Sequence, residues 1–354
     1  MYAKIKLIIT FFVLLQTMVG CKEKKQNKMK EEFSYTVTVS APYSYVVEVH
    51  TGYLLNKNKE FICGIPRVGQ VGSGWQYDGS SGGMGGSIIP CYLNLTYIAF
   101  AEKKVYTIDT VLPGDKILET FKEGYDYDSG KEGFIMLHET YDTLTIGIAP
   151  GGVIVVWLSG NKGRKEICRL QAQETEVINS VDFAKSMYWS IPEKEIATPK
   201  LLFDYVYRTL PDSVKTEIET KGIPYGLWDK YREKYTYRFV LNPYDGEDKV
   251  TFIRNLRFNG NLSQITKPDL TGYTIEDGIP YNCMVMFTKY HTEFFFNDNE
   301  LFRIFTNFKR KYPKSVIDIV ITPTFNYDDM KISIRCEGEE IKLEKYKVVG
   351  VWGG

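Results

Sequence analysis

Histidine is scarce in this chain, three in 354 residues, and that thins the supply of side chains that move protons near neutral pH. Enzymatic chemistry is poorly supported on that ground alone. The cysteines include no C-x-x-C pair, so neither zinc of that spacing nor thioredoxin-type redox chemistry is indicated. Neither charge is in excess: 44 basic and 44 acidic side chains balance, and nothing in that balance recruits nucleic acid. Beyond the first twenty residues no apolar run reaches the about 20 residues that a membrane-spanning helix needs. A phosphate cradle is missing too, because the glycines of residues 72–87 lack the G-x-x-x-x-G-K-[ST] spacing and no helix start follows them. No pattern calls for a cofactor or a resident metal.

What the chain does have begins at its N-terminus. Residues 1–20 read as a lipoprotein signal, with Lys4 and Lys6 ahead of the apolar run from Leu7 to Leu15, and Met18-Val19-Gly20 leading into Cys21. Cys21 is the expected lipidation site, and its acyl chains are the expected contact with a lipid bilayer. Loss of the two leader lysines tips the mature chain to a net charge of −2. Residues 22–32, KEKKQNKMKEE, cannot bury a core and read as a disordered tether spanning at most about 35 Å. The expected location is therefore the cell envelope, as an outer-membrane lipoprotein facing the periplasm or the cell exterior.

From residue 33 onward hydrophobic alternation dominates. YTVTVSA (35–41), CYLNLTYIAF (91–100), KVYTIDTVL (104–112) and the run through TIGIAPGGVIVVWLSG (145–160) predict strands rich in Val, Ile, Thr and Tyr, with Ala149-Pro150-Gly151-Gly152 as a type II turn. PGDKILETFKEG (113–124) predicts a helix ended by Gly124. The order repeats in 235–354: a strand pair, a helix over 298–313 capped by Asn297 or Asp298, then three strands over 315–325, 330–336 and 341–352. Lys309-Arg310-Lys311 falls where that helix ends and suits its dipole. Residues 183–234 are the helical exception. The reading is an α+β protein of mainly antiparallel sheets with few helices. It has an N-terminal half (33–182), a helical connector (183–234) and a C-terminal half (235–354), the halves being either tandem copies or two ordinary units of similar order.

Several patterns hold possible chemistry. Gly79-Ser80-Ser81-Gly82-Gly83 matches G-x-S-x-G, with His138 and His291 downstream, but that motif needs a sharp strand-to-helix turn, and a strand follows here. Asp126, Asp128 and Glu132 alternate like calcium ligands, although Gly130 stands where an oxygen donor is needed. Glu48 and His50, two apart on one strand, are more economically a structural pair than an acid and base. Five cysteines besides Cys21 read as buried thiols, with one bridge through a loop Cys63 left open. Aromatic residues make up 14% of the chain, which fits either cross-strand pairs or a recognition surface. In GSGWQYDGSSGGMGGS (72–87) the glycines suggest either a mobile connection or an adaptable arm that presents Trp75, Tyr77 and Asp78 to a partner.

The segments GSGWQYDGSSGGMGG, LPGDKILETF, TIGIAPGGVIVVWLSG and GIPYGLWDKYREKY together make the chain resemble the bacterial lipoproteins of the domain of unknown function 2931 family. The resemblance spans roughly residues 35–240, and the region after 250 matches weakly. That family carries no established activity, so no catalytic residue comes with it. Some members of the family are suspected to be immunity proteins against phospholipase toxins delivered by type VI secretion, so the expectation for this chain is protein binding rather than catalysis. A ligand-binding or structural envelope protein is the alternative, and an unrecognised hydrolase ranks last.

Overall fold

Alternate side chains of a strand face opposite sides, so the Val, Ile, Thr and Tyr alternation that fills this chain builds sheets with one face inward. The computed structural model describes residues 33–129, 135–242, 249–266, 273–324 and 329–353. Cys21, the tether and Glu132 lie outside the described residues. The first thirteen strands are β1 (Tyr35–Ser40), β2 (Val47–Leu55), β3 (Phe61–Gly64), β4 (Gln70–Val71), β5 (Gly85–Gly86), β6 (Tyr92–Ala99), β7 (Lys104–Val111), β8 (Tyr125–Asp128), β9 (Met136–Glu139), β10 (Thr143–Ala149), β11 (Val153–Ser159), β12 (Arg164–Gln171) and β13 (Gln173–Thr175). Helix α1 (Gly114–Glu123) stands between β7 and β8. Four helices follow, α2 (Ser180–Ser186), α3 (Pro199–Arg208), α4 (Asp212–Lys221) and α5 (Leu227–Lys230).

The remaining strands are β14 (Tyr235–Leu241), β15 (Val250–Arg257), β16 (Leu262–Thr266), β17 (Ile275–Asp277), β18 (Pro280–Phe287), β19 (Tyr290–Phe296), β20 (Ile317–Pro323), β21 (Met330–Cys336), β22 (Glu339–Lys342) and β23 (Tyr346–Gly353), with α6 (Asp298–Lys311) after β19. Strand order is the same on both sides of the helical stretch. The first side holds the runs β5-β1-β10-β11-β12 and β3-β2-β6-β7-β13, and the second holds β17-β14-β20-β21-β22 and β16-β15-β18-β19-β23. On each side one pair is parallel, β1 with β10 and β14 with β20, and the crossover between its members carries the helix α1 or α6. The other pairs in these runs are antiparallel. Pairing of Arg164 on β12 with Leu262 on β16 joins two of the four runs into a ten-stranded sheet. The fold is α+β.

Local chemistry sets the element ends. Gly124 takes φ +56° and stops α1, whose Ile117 and Phe121 face the core. Gly151, at φ +81°, supplies the left-handed residue of the turn between β10 and β11. The Asn297 side chain accepts the Glu300 N–H at the start of α6, and Lys309, Arg310 and Lys311 fill its last turn. Glu300 does not complete a capping box. Its carboxylate instead accepts the backbone N–H groups of Glu344 (3.1 Å) and Lys345 (2.8 Å). That contact explains one correction: the single strand expected over 341–352 breaks at Leu343–Lys345, and its two pieces, β22 and β23, enter different sheets.

A second correction concerns Cys63, which lies in β3 and not in a loop; all five described cysteines are free thiols. From Phe33 onward the chain forms one compact unit. One buried cluster runs from Trp75, Val155 and Trp157 through Leu202, Val206 and Trp228 to Ile253 and Phe305, and a second fills the first side around Val37, Leu93, Phe121 and Ile146.

Candidate functional site

Where β1 ends, Ala41-Pro42-Tyr43-Ser44-Tyr45 turns the chain, and Tyr45 N–H closes the turn on the Pro42 carbonyl at 2.9 Å. The turn leaves Tyr43 78% exposed and sends Tyr45 inward. A second lip, residues 73–77, is tied to the first by Gly74 N–H on the Ala41 carbonyl at 3.0 Å. Helices α4 and α5, the start of α6 and Tyr281 close the other side of a cleft of about 670 Å³.

The floor is aromatic and buried. Trp75 stands edge-on to Trp157, with ring centroids 4.8 Å apart, and 6.3 Å from Trp228, which in turn meets Tyr45 edge-on at 5.4 Å. The Tyr231 ring stacks on Phe258 and Phe302, and its hydroxyl donates to Asp298 Oδ2 at 2.8 Å. Burial pushes the Tyr45 hydroxyl up to about 12, and burial followed by the Tyr77 hydroxyl does the same for Tyr281, so both stay protonated donors at neutral pH. Glu217, Lys221 and Asp298 supply charge at the rim, above which Tyr43 and Tyr77 present open ring faces. Such an arrangement binds apolar or planar groups and orients them by a few polar contacts.

The expected site residues separate here. Trp75 is 2% exposed and belongs to the core, so the adaptable-arm reading is corrected for it: the residue supports the cleft from below. Tyr77 is 42% exposed at the mouth. Asp78 turns away from the cleft, its Oδ1 accepting from Thr145 Oγ1 (2.5 Å) and Ser159 Oγ (2.7 Å). Some of the glycines serve close packing. A Cβ on Gly79 would stand 1.5 Å from the Val39 carbonyl oxygen, because Ser80 bridges to Val39 and Gly85-Gly86 forms β5 against β1. Close approach of backbones requires Gly79 and Gly85, whereas Gly74, Gly82 and Gly83 take positive φ.

Of the other patterns, Ser81 Oγ accepts the Gly83 N–H, His138 pairs with Asp126 at 2.7 Å, and His291 stacks on Trp352. The Glu48 carboxylate accepts from Trp189 Nε1 at 3.0 Å, while His50 Nε2 meets Ser186 Oγ at 2.8 Å. A bulge between Val49 and Thr51 breaks the register of β2 between the two residues. Sequence reasoning missed Tyr43, Trp228 and Asp298. The available signals were a proline-tyrosine turn after β1 and the tryptophan of GIPYGLWDKY.

Fold and cleft define an α+β protein of twisted sheets with a cleft lined by aromatic side chains. The chain belongs to the family described as Protein of unknown function (DUF2931), which matches residues 22–226. No curated protein and no solved structure matches it. Among the described residues no helix is long and apolar enough to cross a membrane.

Proposed function

We propose that the protein is a cell-envelope lipoprotein, anchored to the outer membrane through acyl chains on Cys21, that acts by binding a protein partner rather than by catalysis. The partner in this reading is a secreted phospholipase-type toxin, which the protein neutralises as an immunity protein. The observation that carries binding is the cleft, in which two exposed rings, Tyr43 and Tyr77, stand over a buried floor of Trp75, Trp228 and Tyr45. Rigid aromatic anchors give contact area at low ordering cost and are common binding hot spots. Asp78 supports this surface indirectly, by fixing the segment that carries Tyr77. Matching strand orders support a tandem duplication joined by the helical stretch over 183–234.

Survival of recipient cells under attack by a type VI strain that delivers a phospholipase toxin tests the reading. The wild-type chain protects; Tyr43→Ala combined with Tyr77→Ala keeps its thermal stability and binds the toxin about thirtyfold more weakly, the factor that 2 kcal/mol supplies. Cys21→Ala leaves the membrane fraction. Recipients that die equally fast with and without the wild-type chain would remove the toxin. A cleft of about 670 Å³ also falls within the size of small-molecule sites, so a ligand-binding envelope lipoprotein is the second reading.

A further inference from the structure

Arg164 is the residue at which β12 meets β16, and its side chain is only 3% exposed. Its guanidinium lies over the Trp157 ring, 4.1 Å from the centroid, and Nη1 donates to the backbone oxygens of Trp75 (3.2 Å) and Gly260 (3.4 Å). Asp78 Oδ1 stands 3.5 Å from Nε, beyond good hydrogen-bond reach, and that oxygen already receives two hydroxyls. Among the described residues, Nε and Nη2 of Arg164 have no hydrogen-bond partner, and neither do the indole N–H groups of Trp157, over which it lies, and Trp75. All four atoms are donors. Buried donors are nearly always satisfied, so each of the four is short of an acceptor, and the two on Arg164 belong to a residue that lines a cavity.

Arg164 also lines a second cavity, of about 1120 Å³, which lies along β12 and β16. Seven Lys or Arg side chains line it against five Asp or Glu. Three of those acids are committed, Glu166 to Arg232 at 2.7 Å, Glu123 to Lys165 at 2.5 Å and Asp277 to Arg257 at 3.4 Å. Among the described residues of that lining, Arg164, half-met by Asp78, is a buried cation with donors to spare.

We propose that this cavity holds a site for a small oxyanion, a carboxylate or phosphate group, received by Arg164. A guanidinium offers parallel N–H donors that match two oxygens of one such group, and low local polarity strengthens the contact. The charged oxygens of such a group only accept, so they fit the two spare guanidinium donors better than water does, since water must also find acceptors for its own protons. The site opens on a different cavity from the aromatic cleft, though the two share Trp75, whose carbonyl Arg164 holds, and its reading does not rest on any toxin.

The test is the thermal midpoint of the full mature protein titrated with sodium phosphate or sodium acetate against sodium chloride at matched ionic strength. One of the two oxyanions raises the midpoint in a saturable way, and which one does so separates phosphate from carboxylate. Asp78→Asn keeps an acceptor oxygen for Thr145 and Ser159 but removes the competing charge, and it tightens the apparent affinity by about tenfold. Arg164→Met abolishes the response. If Arg164→Met does not fold, the wild type and Asp78→Asn still decide the matter. No response to either oxyanion in the wild type, or a response that Asp78→Asn fails to strengthen, overturns the proposal and leaves the four donors to ordered water.

Discussion

Trp75 touches Trp157 and Trp228 in the main core cluster, so cutting it back removes ring contacts that no neighbour is free to replace. Trp75→Ala is expected to lose about 3–5 kcal/mol of stability, seen as a large fall in the melting temperature by calorimetry. Tyr43→Ala, at a ring 78% exposed, is expected to stay within about 0.5 kcal/mol of the wild type. A Trp75→Ala protein that melts with the wild type contradicts the core placement. Trp75 and Tyr77 are two apart, yet one is interior and the other lines the mouth. Their fates are illegible locally because Trp75 is buried by rings at positions 157 and 228, which nothing within the segment announces. Cys63 is hard to place for the same reason: it is buried because β3 pairs with β2, a long-range fact.

At the scale of elements, the glycine-rich segment separates two uses of the same residue. Gly79 passes so close to Val39 that any side chain must push the segment off β1, whereas Gly83 has φ +73° and open space for 4 Å around the point where a Cβ would stand. Gly79→Ala is therefore expected to cost at least about 2 kcal/mol in a urea titration. Gly83→Ala is expected to cost only the backbone strain, about 1 kcal/mol. Equal losses would show that the segment is not clamped at Gly79. The sequence made α1, α6 and the β10–β11 hairpin readable, since proline, glycine and asparagine mark their ends by local stereochemistry. It did not show the break at Leu343–Lys345, because the carboxylate that accepts those backbone groups belongs to Glu300.

Over the whole molecule, the main core cluster runs through both sides of the chain and the helices between them. Unfolding is expected to be a single cooperative step, with indole fluorescence and far-UV circular dichroism tracing one curve against denaturant. Two separated transitions would mean that the sides fold alone. The repeated order of elements was legible from alternation and turn residues, but the way the sides meet was not, since one register pair at Arg164 and Leu262 decides it. That joint has a direction. β12 and β16 end runs of different kind, so the contact is head to tail, and each side keeps the unused counterpart of the other, β3 on the first and β22 on the second. Repeated between molecules, a head-to-tail contact lays copies end to end, into an open ribbon unless its rotation closes a ring. β22 is four residues long and three of them, Glu339, Glu340 and Lys342, are charged, while β3 is equally short. Both edges are short and β22 is charged, features that resist pairing with another chain and work against use of the joint a second time between molecules.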